Sequence, residues 1–141
     1  MDFYIVAAAD DAATLHFACR LTEKAYHLGH RIHLRAGSPA QASRLDDLLW
    51  TFRQGSFVPH ELVTDDAEQS PVTIGHGILP GQHVDLLINL AGDVIEPTGN
   101  WSRLAEVIAG DEPTRALGRE RFRHYRSAGC EVASHDMRTG T

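Results

Sequence analysis

The sequence predicts an α/β layered fold built on a mainly parallel sheet, and three observations carry that prediction. Strand-like apolar runs alternate with helix-like segments along the chain, the pattern of a sheet with helices packed on it. The clearest run, VDLLINLA at 84–91, is nearly continuous in apolar residues, as a strand covered on both faces must be. The length of 141 residues, with 43% hydrophobic and 23% charged residues, fits one soluble domain with an ordinary core. A single domain is expected over residues 1–141.

Taken in order, FYIVAAA at 3–9 is the first candidate strand. Asp10 or Asp11 can cap a helix that runs to about Leu28, where Gly29 is the natural stop. IHLRA at 32–36 is the second strand. Ser38 can then cap a helix with Pro39 in its first turn and Gln41 placed to close a capping box. Leu45, Leu48 and Leu49 follow at helical spacing. After the long connection at 51–71 come a weaker strand at 72–76 and the strong one at 84–91. A third helix is expected over Ser102 to Ala109. A fourth starts after Asp111 and Glu112, with Pro113 in its first turn, and runs to about Ala128 before Gly129. CEVASH at 130–135 is a last, weaker strand.

Several function classes find no support. No apolar run approaches the roughly 20 residues of a membrane span. Met1 is followed by Asp2 without a basic segment and cleavage site, so no secretory signal is expected. Two lone cysteines, Cys19 and Cys130, fit a reducing, cytoplasmic setting rather than a disulfide framework. The turn after the first strand reads AAADDAA, with carboxylates where a phosphate would sit, and neither glycine-rich nucleotide fingerprint occurs. His27, His30 and His33 are spaced by three, but Gly29 interrupts the helix between the first two and His33 falls on a strand. No nucleophile elbow is present, and neither cysteine looks like an activated thiolate: Cys19 falls inside the first helix on a core-facing position and Cys130 opens a terminal strand beside Glu131. The expectation is a protein without intrinsic catalysis, cofactor or metal.

Two segments carry the binding chemistry. Net charge is −6, yet residues 113–126 hold five arginines and one glutamate, leaving −10 for the rest. On a helical wheel Arg115, Arg119, Phe122, Arg123 and Arg126 share an arc of about 100°. Leu117, His124, Tyr125 and Ala128 fill the opposite arc, the expected core side, with Arg121 beside it. Guanidinium groups take carboxylates bidentately, and an aromatic among them offers an apolar contact. The stripe suits an acidic peptide ending in an aromatic residue and a free carboxylate; the alternative is a solvated helix with Phe122 half-buried. The second segment, LLWTFRQGSFVPH at 48–60, leaves a helix with a tryptophan and two phenylalanines around a glycine. Such aromatics either tuck into their own core or form the centre of a protein interface.

These residues resemble the chi subunit family of bacterial DNA polymerase III. The resemblance rests on LDDLLWTFRQGSFVPHEL at 45–62, DLLINL at 85–90 and GRERFRHYRSAG at 118–129, with a compatible FYIV at 3–6. It implies a Rossmann-like three-layer fold with no nucleotide-binding glycine loop. It implies an accessory adaptor of the clamp-loader assembly, joined to the psi subunit and to the C-terminal tail of single-stranded-DNA-binding protein, with a helicase as a further partner and nucleic acid met only indirectly. On this resemblance Ile108, Arg115, Arg119, Phe122, Arg123 and Arg126 match the tail-binding side. Trp50, Phe57, Val58, Pro59 and His60 match the psi-facing surface. Arg115 and Arg123 stand where lysine also occurs, and Phe122 where some members have tyrosine, so a hydroxyl bond there is lost. Two rivals stand beside this reading. One is a small nucleotide-dependent α/β enzyme lacking the usual glycines. The other is direct binding of single-stranded nucleic acid by the arginine helix, against which the −10 elsewhere argues.

Overall fold

The computed structural model describes residues 2–5, 11–51, 58–62, 70–77, 79–80, 83–91, 95, 99–108, 112–129 and 131–136. For residues 2–5, 11–12, 112–115 and 134–136 only the backbone is described. The elements are β1 (Asp2–Ile5), α1 (Asp11–His27), β2 (Ile32–Ala36), α2 (Pro39–Thr51), β3 (His60–Leu62), β4 (Val72–His76), β5 (Val84–Asn89), β6 (Trp101–Ile108), α3 (Glu112–Ser127) and β7 (Ala133–Asp136). The strands form one seven-stranded sheet in the order β3-β4-β2-β5-β6-β1-β7. Every pairing in it is parallel.

The helix ends follow local chemistry. The Ser38 hydroxyl accepts a hydrogen bond from the Gln41 N–H at 3.0 Å, satisfying one of the orphan donors at the start of α2. The Gln41 side chain reaches back to the Gly37 N–H at 2.8 Å, one residue earlier than the usual capping box. At the end of α1, His30 N–H bonds Ala25 and Gly29 N–H bonds Tyr26, with Gly29 at φ +87°. That is a Schellman close, and the left-handed backbone at Gly29 is why glycine stands there. Gly129 ends α3 in the same conformation.

Alternation along the central strands sorts side chains to two faces. Ile32, Leu34, Ala36, Ile74, Ile88, Ala105 and Val107 pack with Leu15, Phe17, Ala18 and Cys19 of α1 and with Ala42, Leu45 and Leu49 of α2. On the other face Leu87 and Leu104 pack with Ile95 and with Tyr125 of α3. The sheet is thus flanked by helices on both sides, α1 and α2 on one and α3 on the other.

One predicted element is of the wrong type. Residues 102–109, expected as a helix, lie mostly in β6, which pairs with β5 and β1. Leu104, Val107 and Ile108 satisfy the helical i, i+3, i+4 spacing, which made the misreading natural. In fact Leu104 to Ile108 are all buried, the mark of a central strand covered on both faces. β3, inside the expected 51–71 connection, is only three residues long and went unpredicted.

Candidate functional site

The inner side of α3 is set by the sheet beneath it. Glu106 of β6 is fully buried. The Tyr125 hydroxyl donates to its Oε1 at 3.1 Å and accepts from the Ile95 N–H at 2.8 Å. The Asn89 amide donates to both carboxylate oxygens at 3.1 and 3.0 Å. Arg35 donates to the Asn89 side-chain Oδ1 at 3.2 Å, and the Arg121 guanidinium stands 3.8 Å from Glu106. Burial, and then the neighbouring Glu106 charge, hold the Tyr125 phenol well above its ordinary range. A Cβ on Gly118 would lie 2.7 Å from Ile108 Cδ1, so the missing side chain is what lets α3 settle on the end of β6.

This arrangement corrects the wheel. The side of α3 facing the sheet is Gly118, Arg121 and Tyr125, with Phe122 at its margin. Leu117, placed inward by the sequence, is 57% exposed, and His124 and Ala128 are exposed as well. The polar partners on the sheet, rather than apolar character, choose which arc turns in.

The outer side keeps the predicted stripe. Arg119, Arg123 and Arg126 are exposed, and Phe122 is half-buried against the second core cluster. The Arg126 guanidinium lies 5.9 Å from the Phe122 ring centroid, within cation–π reach. Ile108, assigned to this site, ends a strand rather than a helix and is 6% exposed beneath Gly118. The side chain of Arg115 lies outside the described residues. The described groups can hold a carboxylate on guanidinium forks and lay an apolar side chain against Phe122.

The second predicted surface divides. Trp50, in the last turn of α2, is 50% exposed. Pro59 is half-buried, Val58 is in the first core cluster, and the His60 side chain is enclosed. Phe57 lies outside the described residues. The two surfaces occupy different places on the sheet. Trp50 and His60 sit with α2 and the edge strand β3. α3 sits on the opposite face, over β6, four strands away, or about 19 Å at the usual strand spacing.

Sequence reasoning missed the Arg35, Asn89 and Glu106 network. A signal did exist: Asn89 interrupts the apolar run at 86–91, and a buried amide needs partners. Of the sequence's other reactive candidates, Cys19 is buried and its thiol is pushed up to about 12 by that burial. His33 is buried against Thr73 at 2.7 Å, whereas His27 and His30 are exposed. Among the described residues no three histidine, cysteine or carboxylate side chains are grouped to hold a metal ion, and no helix is long and apolar enough to cross a membrane.

Residues 1–133 match the family described as DNA polymerase III chi subunit, HolC. The chain is 43% identical over 137 residues to the DNA polymerase III subunit chi of Pseudomonas aeruginosa, covering 97% of this chain and 96% of that one. It is 26% identical over 138 residues to the subunit chi of Haemophilus influenzae, covering 96% and 95%. It is 27% identical over 123 residues to that of Escherichia coli, covering 86% and 84%.

Proposed function

The chain belongs to the DNA polymerase III chi subunit family, and from that premise we propose that it is a non-catalytic adaptor of the clamp-loader assembly. In this reading it works in the cytoplasm as one domain over residues 1–141. Its fold is the three-layer, Rossmann-like kind, without a nucleotide-binding glycine loop; residues 6–12, VAAADDA, contain no glycine. One surface receives the psi subunit and serves a helicase as well. The other receives the acidic C-terminal tail of single-stranded-DNA-binding protein, so nucleic acid is reached only through that protein.

The observation that carries this reading is the outer side of α3. Three exposed arginines flank a half-buried Phe122 on a chain of net charge −6. A local cationic strip on an acidic body favours a short acidic ligand over a long polyanion. A protein coating that presents several tails raises their local concentration, which offsets modest affinity at each. The psi-facing surface is proposed to comprise Trp50, Phe57, Val58, Pro59 and His60, of which Val58 and His60 are buried and support it. Of these, Trp50 has the most exposed of the described side chains.

The test is fluorescence anisotropy with a short labelled acidic peptide ending in Pro-Phe and a free carboxylate. Wild type should bind saturably, and Arg119→Ala should weaken binding by about 2 kcal/mol, roughly 30-fold. Equal affinity in the variant would remove Arg119 from the site. Binding of bare single strands in preference to the peptide would overturn the tail reading.

A further inference from the structure

We propose that His60 is the positioning residue of the Trp50 surface, holding the indole in place from beneath while itself out of a partner's reach. The proposal rests on the reading that this surface receives the psi subunit.

His60 opens β3, and its side chain has no exposed area. Nδ1 lies 2.6 Å from the Val58 carbonyl oxygen. Nε2 lies 3.1 Å from the Asp46 carbonyl oxygen and 3.3 Å from Asp46 Oδ1. Both nitrogens face acceptors, Val58 on one side and Asp46 on the other, and an N–H at either one donates to the acceptor it faces. These contacts tie the start of the edge strand to the last turns of α2.

Asp46 and Trp50 are four residues apart on α2 and therefore lie one above the other on the same side of the helix. The Trp50 ring centroid is 4.6 Å from that of His60, with the planes tilted by 50°. One side of the indole thus rests on an enclosed imidazole whose nitrogens lie against Val58 and Asp46, while half of the residue stays exposed. A surface tryptophan ordinarily loses rotamer freedom when a partner orders it. One already seated loses less, which is the basis of preorganised binding. A ring enclosed between Val58 and Asp46 is poorly placed to contact a partner; the indole above it is well placed.

The experiment uses the full chain with Trp101→Phe, which leaves Trp50 as the sole tryptophan of the two. Time-resolved anisotropy of Trp50 reports its local motion, and co-expression with a psi subunit followed by titration reports binding. His60→Phe keeps a ring beneath the indole but none of the polar contacts. Asp46→Ala, at a partly exposed side chain, removes one contact with little risk to folding. Trp50→Ala should weaken the complex at least about tenfold. His60→Phe should free the indole and weaken the complex about tenfold, with Asp46→Ala intermediate in both readouts. Should His60→Phe fail to fold, Asp46→Ala decides. Loss of binding in Trp50→Ala alone, with Trp50 motion and affinity unchanged in the other two, would overturn the positioning role. Undiminished binding in Trp50→Ala would instead overturn the assignment of the surface, while Trp50 motion would still decide the role of His60.

Discussion

The outer side of α3 and the Trp50 edge differ in almost every physical respect. The first is cationic and open: Arg119, Arg123 and Arg126 are exposed around a single half-buried aromatic. The second is built on an aromatic pair, Trp50 over an enclosed His60, at the end of the sheet. Each surface is held by a buried polar anchor, Glu106 under α3 and His60 under Trp50. Long cationic side chains capture a ligand by charge, with fast encounter and sensitivity to salt. A seated indole captures by apolar contact, which salt affects little. An adaptor that stays with one protein while sampling another gains from that division, since a change of ionic conditions loosens one connection and spares the other.

The most severe way to break the comparison is charge reversal. Arg119→Glu together with Arg123→Glu should lower affinity for the acidic peptide by more than about 100-fold, because two attractions become repulsions. The same variant should co-purify with a psi subunit as wild type does. Loss of both partners together would mean that the two surfaces are not independent. A gentler test is salt. Raising sodium chloride from about 50 to 200 mM should weaken peptide binding roughly five- to tenfold and the psi complex by less than about twofold. Equal slopes in the two titrations would erase the distinction.

Much of this was legible in the chain. Alternation of apolar runs with capped helices announced the parallel sheet, and Ser38, Gly29 and Gly129 do what their positions promised. Part of the arginine stripe was legible too: the helical period puts Arg119, Arg123 and Arg126 on one arc, and all three are exposed. What failed depended on partners distant in sequence. Leu104, Val107 and Ile108 fit a helix as well as a strand, and only pairing with β5 and β1 decides between them. Leu117 is outside and Arg121 inside because Glu106 waits on the sheet for Arg121 and Tyr125. A wheel scores hydrophobicity and has no means to see that carboxylate. Val58 and His60 were legible as a motif, but whether each side chain turns in or out rests on α2 beside them.

The smallest expected effect bears on the anchor beneath α3. Tyr125→Phe removes one hydroxyl that donates to Glu106 and accepts from Ile95, and leaves the ring in place. Losing two bonds to buried groups should lower stability at neutral pH by about 1–3 kcal/mol, read as a fall in the urea midpoint at unchanged slope. The hydroxyl is buried on the sheet-facing side of α3 and Arg119, Arg123 and Arg126 are exposed, so peptide affinity should change by less than about threefold. The pH dependence sharpens the test. Burial and Glu106 hold the Tyr125 phenol above its ordinary range in the folded state. Stability from a group raised in this way is complete below its unfolded value of about 10 and drains away as pH rises beyond it. Wild type should therefore lose stability more steeply than Tyr125→Phe above about pH 10, and the two curves should converge there. Parallel curves would show that Tyr125 is not the titrating anchor. A large loss of peptide affinity in the folded variant would show that the charged surface and its buried support are one unit, whereas the comparison treats them as separable.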